Sequence, residues 1–243
     1  MEAQRGVDQL RQHVTGTYLN VRFGIVMIGA ALPVALWLGG RIFDDESLRA
    51  SMSAYYYSLT MRNVFVGALA AIGAILYLYK GFSRAEDWAL NLAGICVILV
   101  ALVPTDAPGA PPRDFTWHAA FAVSFFVCIA YVCIFRASDT LSLIRDASRA
   151  RALHRVYHGL GAAMIIAPIL AVLLSRWLSH GAHQSVTVFF VEAAGVWVFA
   201  SYWLIKSLEL GSTNAAQLAL QGKLQFSTTM SGARRVVQVE PDD

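Results

Sequence analysis

Residues 185–205 read SVTVFFVEAAGVWVFASYWLI, an apolar run interrupted by one ionisable side chain, Glu192. An α-helix needs about 20 apolar residues to cross the hydrocarbon core of a bilayer. Backbone placed in hydrocarbon must also satisfy its own N–H and C=O groups, which a helix does. The run therefore predicts a membrane-spanning helix with a carboxylate inside it. Toward the N-terminus lie five more runs of similar length, at 23–40, 63–79, 88–105, 115–135 and 156–175, and none carries a charged residue. The fold class this predicts is all-α, a polytopic membrane protein built as a bundle of six transmembrane helices.

Composition agrees. Of the 243 residues 57% are hydrophobic and 14% charged, where a soluble domain carries about 25% charge. Residues 1–22 read as an N-terminal segment, 23–207 as the helical domain, and 208–243 as a polar tail. The tail has little periodicity and is expected to be largely disordered, with a short interfacial turn at 218–226. A net charge of +3 makes no case for nucleic acid. Cys96, Cys128 and Cys133 all fall inside apolar runs, an arrangement that suits small fillers better than a disulfide framework or a metal site. No cofactor is expected. The flank before the first run is long and the run ends without a small-x-small cleavage site, so it reads as a retained signal anchor.

Most of the 19 basic residues fall on the side that also holds the two termini; Arg41, Arg49, Arg62, Arg113 and Arg176 fall on the other. Positive charge stays in the cytoplasm, so a multi-pass protein of the inner, cytoplasmic membrane with both termini cytoplasmic is expected. Trp37, Trp117 and Trp177 then mark the outer interface, and Tyr77, Tyr79 and Trp88 the inner one. Pro33 and Pro168 should kink spans one and five. Gly67, Ala70, Ala71 and Ala74 in span two, and Gly159, Ala162 and Ala163 in span five, should be the faces along which helices approach. Residues 138–155 read as an amphipathic helix on the inner surface, with Arg145, Arg149 and Arg151 on its basic side.

Function has to be sought among the few polar residues. Glu192 lies on the order of 10 Å below the outer end of its helix at about 1.5 Å per residue. A carboxylate at that depth needs a partner or faces the bundle interior, where it can serve as a proton acceptor or ligand group. His118 opens span four at a similar level, Arg62 opens span two and Asp106 closes span three. These four define a candidate outward-facing pocket, roofed by Tyr55, Tyr56 and Tyr57, of the kind that takes a small polar ligand or a lipid headgroup. For each taken singly except Glu192, an ordinary helix-end position is the better explanation. His154 and His158 share a helix face, but Arg151 and Arg155 flank them and His118 lies about 30 Å away across the bilayer, so no three-histidine metal site follows. His180 and His183 read as surface residues of a loop. There is no nucleophile elbow, phosphate-binding glycine loop or metalloprotease motif.

Ser51-x-Ser53-Ala54-Tyr55-Tyr56-Tyr57, followed by Met61-Arg62-x-Val64-Phe65-Val66-Gly67, resembles a group of uncharacterised six-span bacterial integral membrane proteins. Ala101-Leu102-Val103-Pro104-Thr105, His118 and Glu192-x-x-Gly195 match the same group, which is loosely similar to the FGF-receptor-activating-protein family. The resemblance implies no reaction; it implies that the outer-face residues act as a unit. The leading expectation is a binding or transport protein with an outer pocket in the bilayer. A membrane-embedded enzyme acting on a lipid or isoprenoid, and a structural or assembly subunit, remain open, as does the oligomeric state.

Overall fold

A computed structural model describes residues 2–107, 113, 115–178, 186–213, 215–220, 224–228 and 234–238. The chain runs α1 (Glu2–Phe43), a 3-10 turn (Ser53–Tyr57), α2 (Met61–Leu78), α3 (Arg84–Leu102) and α4 (Trp117–Tyr131). A π segment (Val132–Arg136) and a second 3-10 stretch (Ala137–Leu143) follow, then α5 (Ala147–Leu178), α6 (Thr187–Thr213) and the short α7 (Ala215–Leu220). Six of these helical stretches are long and apolar enough to cross a membrane. Each expected span lies within one of them or overruns it by only a few residues, and α1 extends well before residue 23.

Consecutive helices pack on one another, and α1 closes against α6, so the six form a ring. Sequential neighbours with short connections are the low-cost way to bury helix faces in a bundle. Leu36, Leu76, Leu90, Ile129, Met164 and Phe199 point inward and are almost wholly covered. Ser83 accepts from Glu86 N at 3.2 Å and Thr116 from Ala119 N at 3.2 Å, capping α3 and α4. Pro33 and Pro168 lie inside α1 and α5 as the sequence suggested.

The close approaches differ from the expected ones. Gly67 and Ala74 are exposed, Gly67 has open space beside it, and Gly159 and Ala162 are exposed as well. The tight contact between α2 and α3 instead runs through Gly73 and Gly94. A β-carbon on Gly73 would come within 2.7 Å of the Gly94 carbonyl oxygen, and one on Gly94 within 2.6 Å of the Gly73 oxygen. On α5 the packed glycine is Gly161, against Ile134 and Cys133. A stripe of small side chains is accommodated as well by lipid as by a helix, so spacing alone does not say which stripe is packed.

The amphipathic helix expected over 138–155 is not a separate element. Its first part is the 3-10 stretch ending at Leu143, and from Ala147 onward it is the start of α5. Asp139, Thr140 and Leu141 are buried there, so the segment is tucked into the bundle end. Tyr79, assigned to an interfacial belt, is buried too, whereas Trp37, Trp88, Trp117 and Trp177 are exposed as a belt requires. In the tail, α7 is followed by an antiparallel pair, β1 (Leu224–Thr228) and β2 (Arg234–Gln238), with Leu224 opposite Gln238.

Candidate functional site

The loop between α1 and α2 sits at the end of the bundle away from the N-terminus, and its own polar bonds give it shape. Asp44 accepts from Thr60 N (3.0 Å) and Met61 N (3.1 Å) at the start of α2. Glu46 accepts from Arg49 Nη2 and from the Ser58 hydroxyl, each at 2.5 Å. The Arg49 hydrogen bond holds the Glu46 carboxyl below the usual carboxylate range, against a smaller opposing effect of burial. The loop is also fastened to α6: Phe189 N donates to Ala50 O at 2.9 Å, and Met52 N donates to Glu192 Oε2 at 2.6 Å.

Beneath this loop lies a cavity of about 210 Å³ between α4, α5 and α6. Its upper wall carries Glu192, His118, Asp106, Thr116, Arg113 and Arg176, and Ser51 and Ser53 reach it from the loop. Further down, the lining is apolar: Ala122 and Phe126 from α4, Ala167 and Ala171 from α5, Val191 and Gly195 from α6. At its lower end Gly195 lies against Ala167 and Phe126. Pro168 lines the same wall, and it leaves the Met164 carbonyl without its helical N–H donor.

Three of the four helix-end residues singled out from sequence meet here. Glu192 keeps part of its surface open to the cavity while holding Met52. The His118 ring is buried, and its Nδ1 lies 2.8 Å from Val103 O. A carbonyl only accepts, so Nδ1 carries hydrogen, and in the neutral ring Nε2 is the acceptor. Asp106 is bound to Arg113, whose Nε lies 3.5 Å from Asp106 Oδ1. Arg62 is not part of the site. It is exposed, donates to Tyr56 Oη at 2.9 Å and lies 4.3 Å from the centre of that ring. The tyrosines do not roof the cavity either. Tyr55 is fully buried against Phe189, and Tyr57 donates to Thr105 O at 2.7 Å, tying the two loops together. His180 and His183 lie outside the described residues. His154 and His158 pack against each other at the opposite end of the bundle, with ring centres 4.2 Å apart and the rings tilted by 51°. Among the described residues no three His, Cys, Asp or Glu side chains gather closely enough to hold a metal ion.

A second polar cluster, at that opposite end, was not anticipated. Lys206 Nζ lies 2.9 Å from Glu209 Oε2 and also donates to Ala137 O (2.7 Å) and Thr140 Oγ1 (2.6 Å). Tyr157 and Thr140 both donate to Glu209. Next to it Arg22, only 2% exposed, donates to Ser207 Oγ (2.9 Å) and to Tyr79, with its guanidinium 4.7 Å from the Trp203 ring centre. The available signal was the Lys206-x-x-Glu209 spacing just past the last apolar run. In sequence it looks like an interfacial pair at a helix end.

No protein-family model, curated protein or solved structure matches the chain. Its function therefore has to be argued from the site.

Proposed function

We propose that this chain binds a small polar ligand or a lipid headgroup in the cavity between α4, α5 and α6, taking it from the outer side of the cytoplasmic membrane, with both termini in the cytoplasm. The observation that carries the reading is the convergence of Glu192, His118 and Asp106, from three separate stretches of chain, on one cavity with a polar mouth and an apolar floor. Isolated helix-end residues have no reason to share a space. At about 210 Å³ the cavity is smaller than the roughly 300–1,000 Å³ of drug-sized sites, and a headgroup fits its polar mouth. His118 offers an acceptor, Glu192 a carboxylate, and Arg113 and Arg176 positive charge at the rim.

Glu192 also anchors Met52, and the test must separate that role from ligand binding. A glutamine at 192 keeps an oxygen that can accept from Met52 N but loses the carboxylate; an alanine loses both. Purified protein is screened by thermal denaturation against ethanolamine, choline, glycerol phosphate and inositol, alone and with E192Q, E192A and H118A. Binding to the folded state alone adds about 2.7 kcal/mol at a hundredfold excess over Kd. The expected result is a compound that stabilises the wild type but not E192Q, with E192Q itself still folded and inserted. Identical responses of wild type and E192Q to every compound would overturn the proposal.

A further inference from the structure

The shape of the cavity says more about its occupant than its rim does. The lining on α4 descends from Thr116 to Phe126, roughly 15 Å at about 1.5 Å per residue, and α5 lines it over a similar depth from Arg176 to Ala167. A volume of about 210 Å³ drawn out over that length is a narrow slot. Polar groups are confined to its upper part. Below Glu192 and His118 the walls are alanine, valine, phenylalanine, proline and glycine, with no hydrogen-bonding side chain. Water in the lower part would find no side-chain partner there. A compact polar ligand would fill the mouth and leave the lower slot empty.

Resting on the reading of this cavity as a ligand site, the geometry points to an amphiphile with a hydrogen-bond-donating head and an alkyl chain as its occupant. The head lies against Glu192 and His118, and the chain runs down between α4 and α5 toward Phe126 and Gly195. Each buried methylene contributes favourably when it leaves water, and the small side chains Ala122 and Ala171 leave room for it in the lining. The deep alanines thus act as specificity residues: they admit a chain where larger residues would turn the site into a headgroup cup.

The probe is a long-chain primary alcohol carrying a mid-chain diazirine, with the matching fatty acid, whose ionised head donates no hydrogen bond, as the second arm. Full-length protein in detergent is irradiated and the adducts are mapped by peptide mass spectrometry. Adducts from the alcohol are expected on 119–126 and 167–172, several-fold weaker with the acid, and lost in A122F. A171F fills the slot from the opposite wall and should lose them independently, so misfolding of one variant leaves the test intact; size-exclusion profiles of both are compared with wild type. Labelling confined to lipid-facing positions, or unchanged in the folded variants, would overturn the amphiphile. Equal labelling by the acid would overturn the donor head. If the alcohol fails while a headgroup compound still stabilises the wild type but not E192Q, the chain is wrong and the headgroup site stands. Failure of both removes both.

Discussion

Glu192 and Lys206 illustrate how differently a single buried charge is handled at the two ends of one helix. Glu192 holds the loop backbone at Met52 and Ser53 and leaves part of its carboxylate facing a cavity. Lys206 is only 3% exposed and all its bonds go to the protein: Glu209, Thr140 and a backbone carbonyl. A satisfied buried pair contributes little net stability, but removing one partner strands the other and costs about 3–5 kcal/mol. E209Q is therefore expected to lower the unfolding free energy by about that much. K206M/E209L, which removes both charges but leaves Tyr157 and Thr140 without their acceptor, should recover part of the loss, measured by reversible denaturation in mixed micelles. If E209Q matches wild type, the cluster is not holding this end together. Glu192 was legible in the sequence because it interrupts an apolar run. Lys206, Glu209 and Arg22 were not, because beside the end of a run a buried network and a solvated interface have the same composition.

At the scale of the helices, the number and extent of the spans were readable because apolar length is a bilayer property. Which faces meet was not, because lipid and protein neighbours present similar apolar surface. Span two shows the difference within one helix. Gly67 and Gly73 are both small residues of α2, yet only Gly73 has a neighbouring backbone against it. G73A should force α2 and α3 apart at the Gly94 carbonyl and cost about 1–3 kcal/mol, as overpacking does. G67A has open space and gains helix propensity of roughly 0.8–1.0 kcal/mol, so it should be neutral or mildly stabilising. Thermal midpoints of the two variants side by side decide the matter; equal shifts would mean that the α2–α3 contact is not tight. The 138–155 stretch failed for a related reason. Its basic side chains fit a surface helix, but Thr140 is drawn into the polar cluster, Asp139 is buried beside Arg136, and the chain turns there to begin α5.

Across the whole molecule, α6 carries Glu192, Phe199, Trp203 and Lys206 on one face, at spacings that keep them aligned along the helix. Phe125 and Trp203 pack on Phe199, so an aromatic layer separates the cavity from the Lys206–Glu209 cluster. The cavity thus lies toward the α1–α2 loop end, and the direction in which that end faces decides which leaflet would supply the proposed ligand. Charge argues for the outside. Arg145, Arg149, Arg151 and Arg155 are exposed at the opposite end, where α5 begins, and basic residues near span ends are retained in the cytoplasm. Single cysteines at Leu59, which is 88% exposed in the loop, and at Arg145 test this in a variant with Cys96, Cys128 and Cys133 replaced by alanine. An impermeant maleimide added to spheroplasts should modify L59C directly and R145C only after the membrane is permeabilised. The reverse pattern would turn the cavity toward the cytoplasm, and an amphiphile would then enter from the inner leaflet. The same pair also tests the span count at its most vulnerable point, since both sites would label alike if one of the three intervening helices lay on the membrane instead of crossing it.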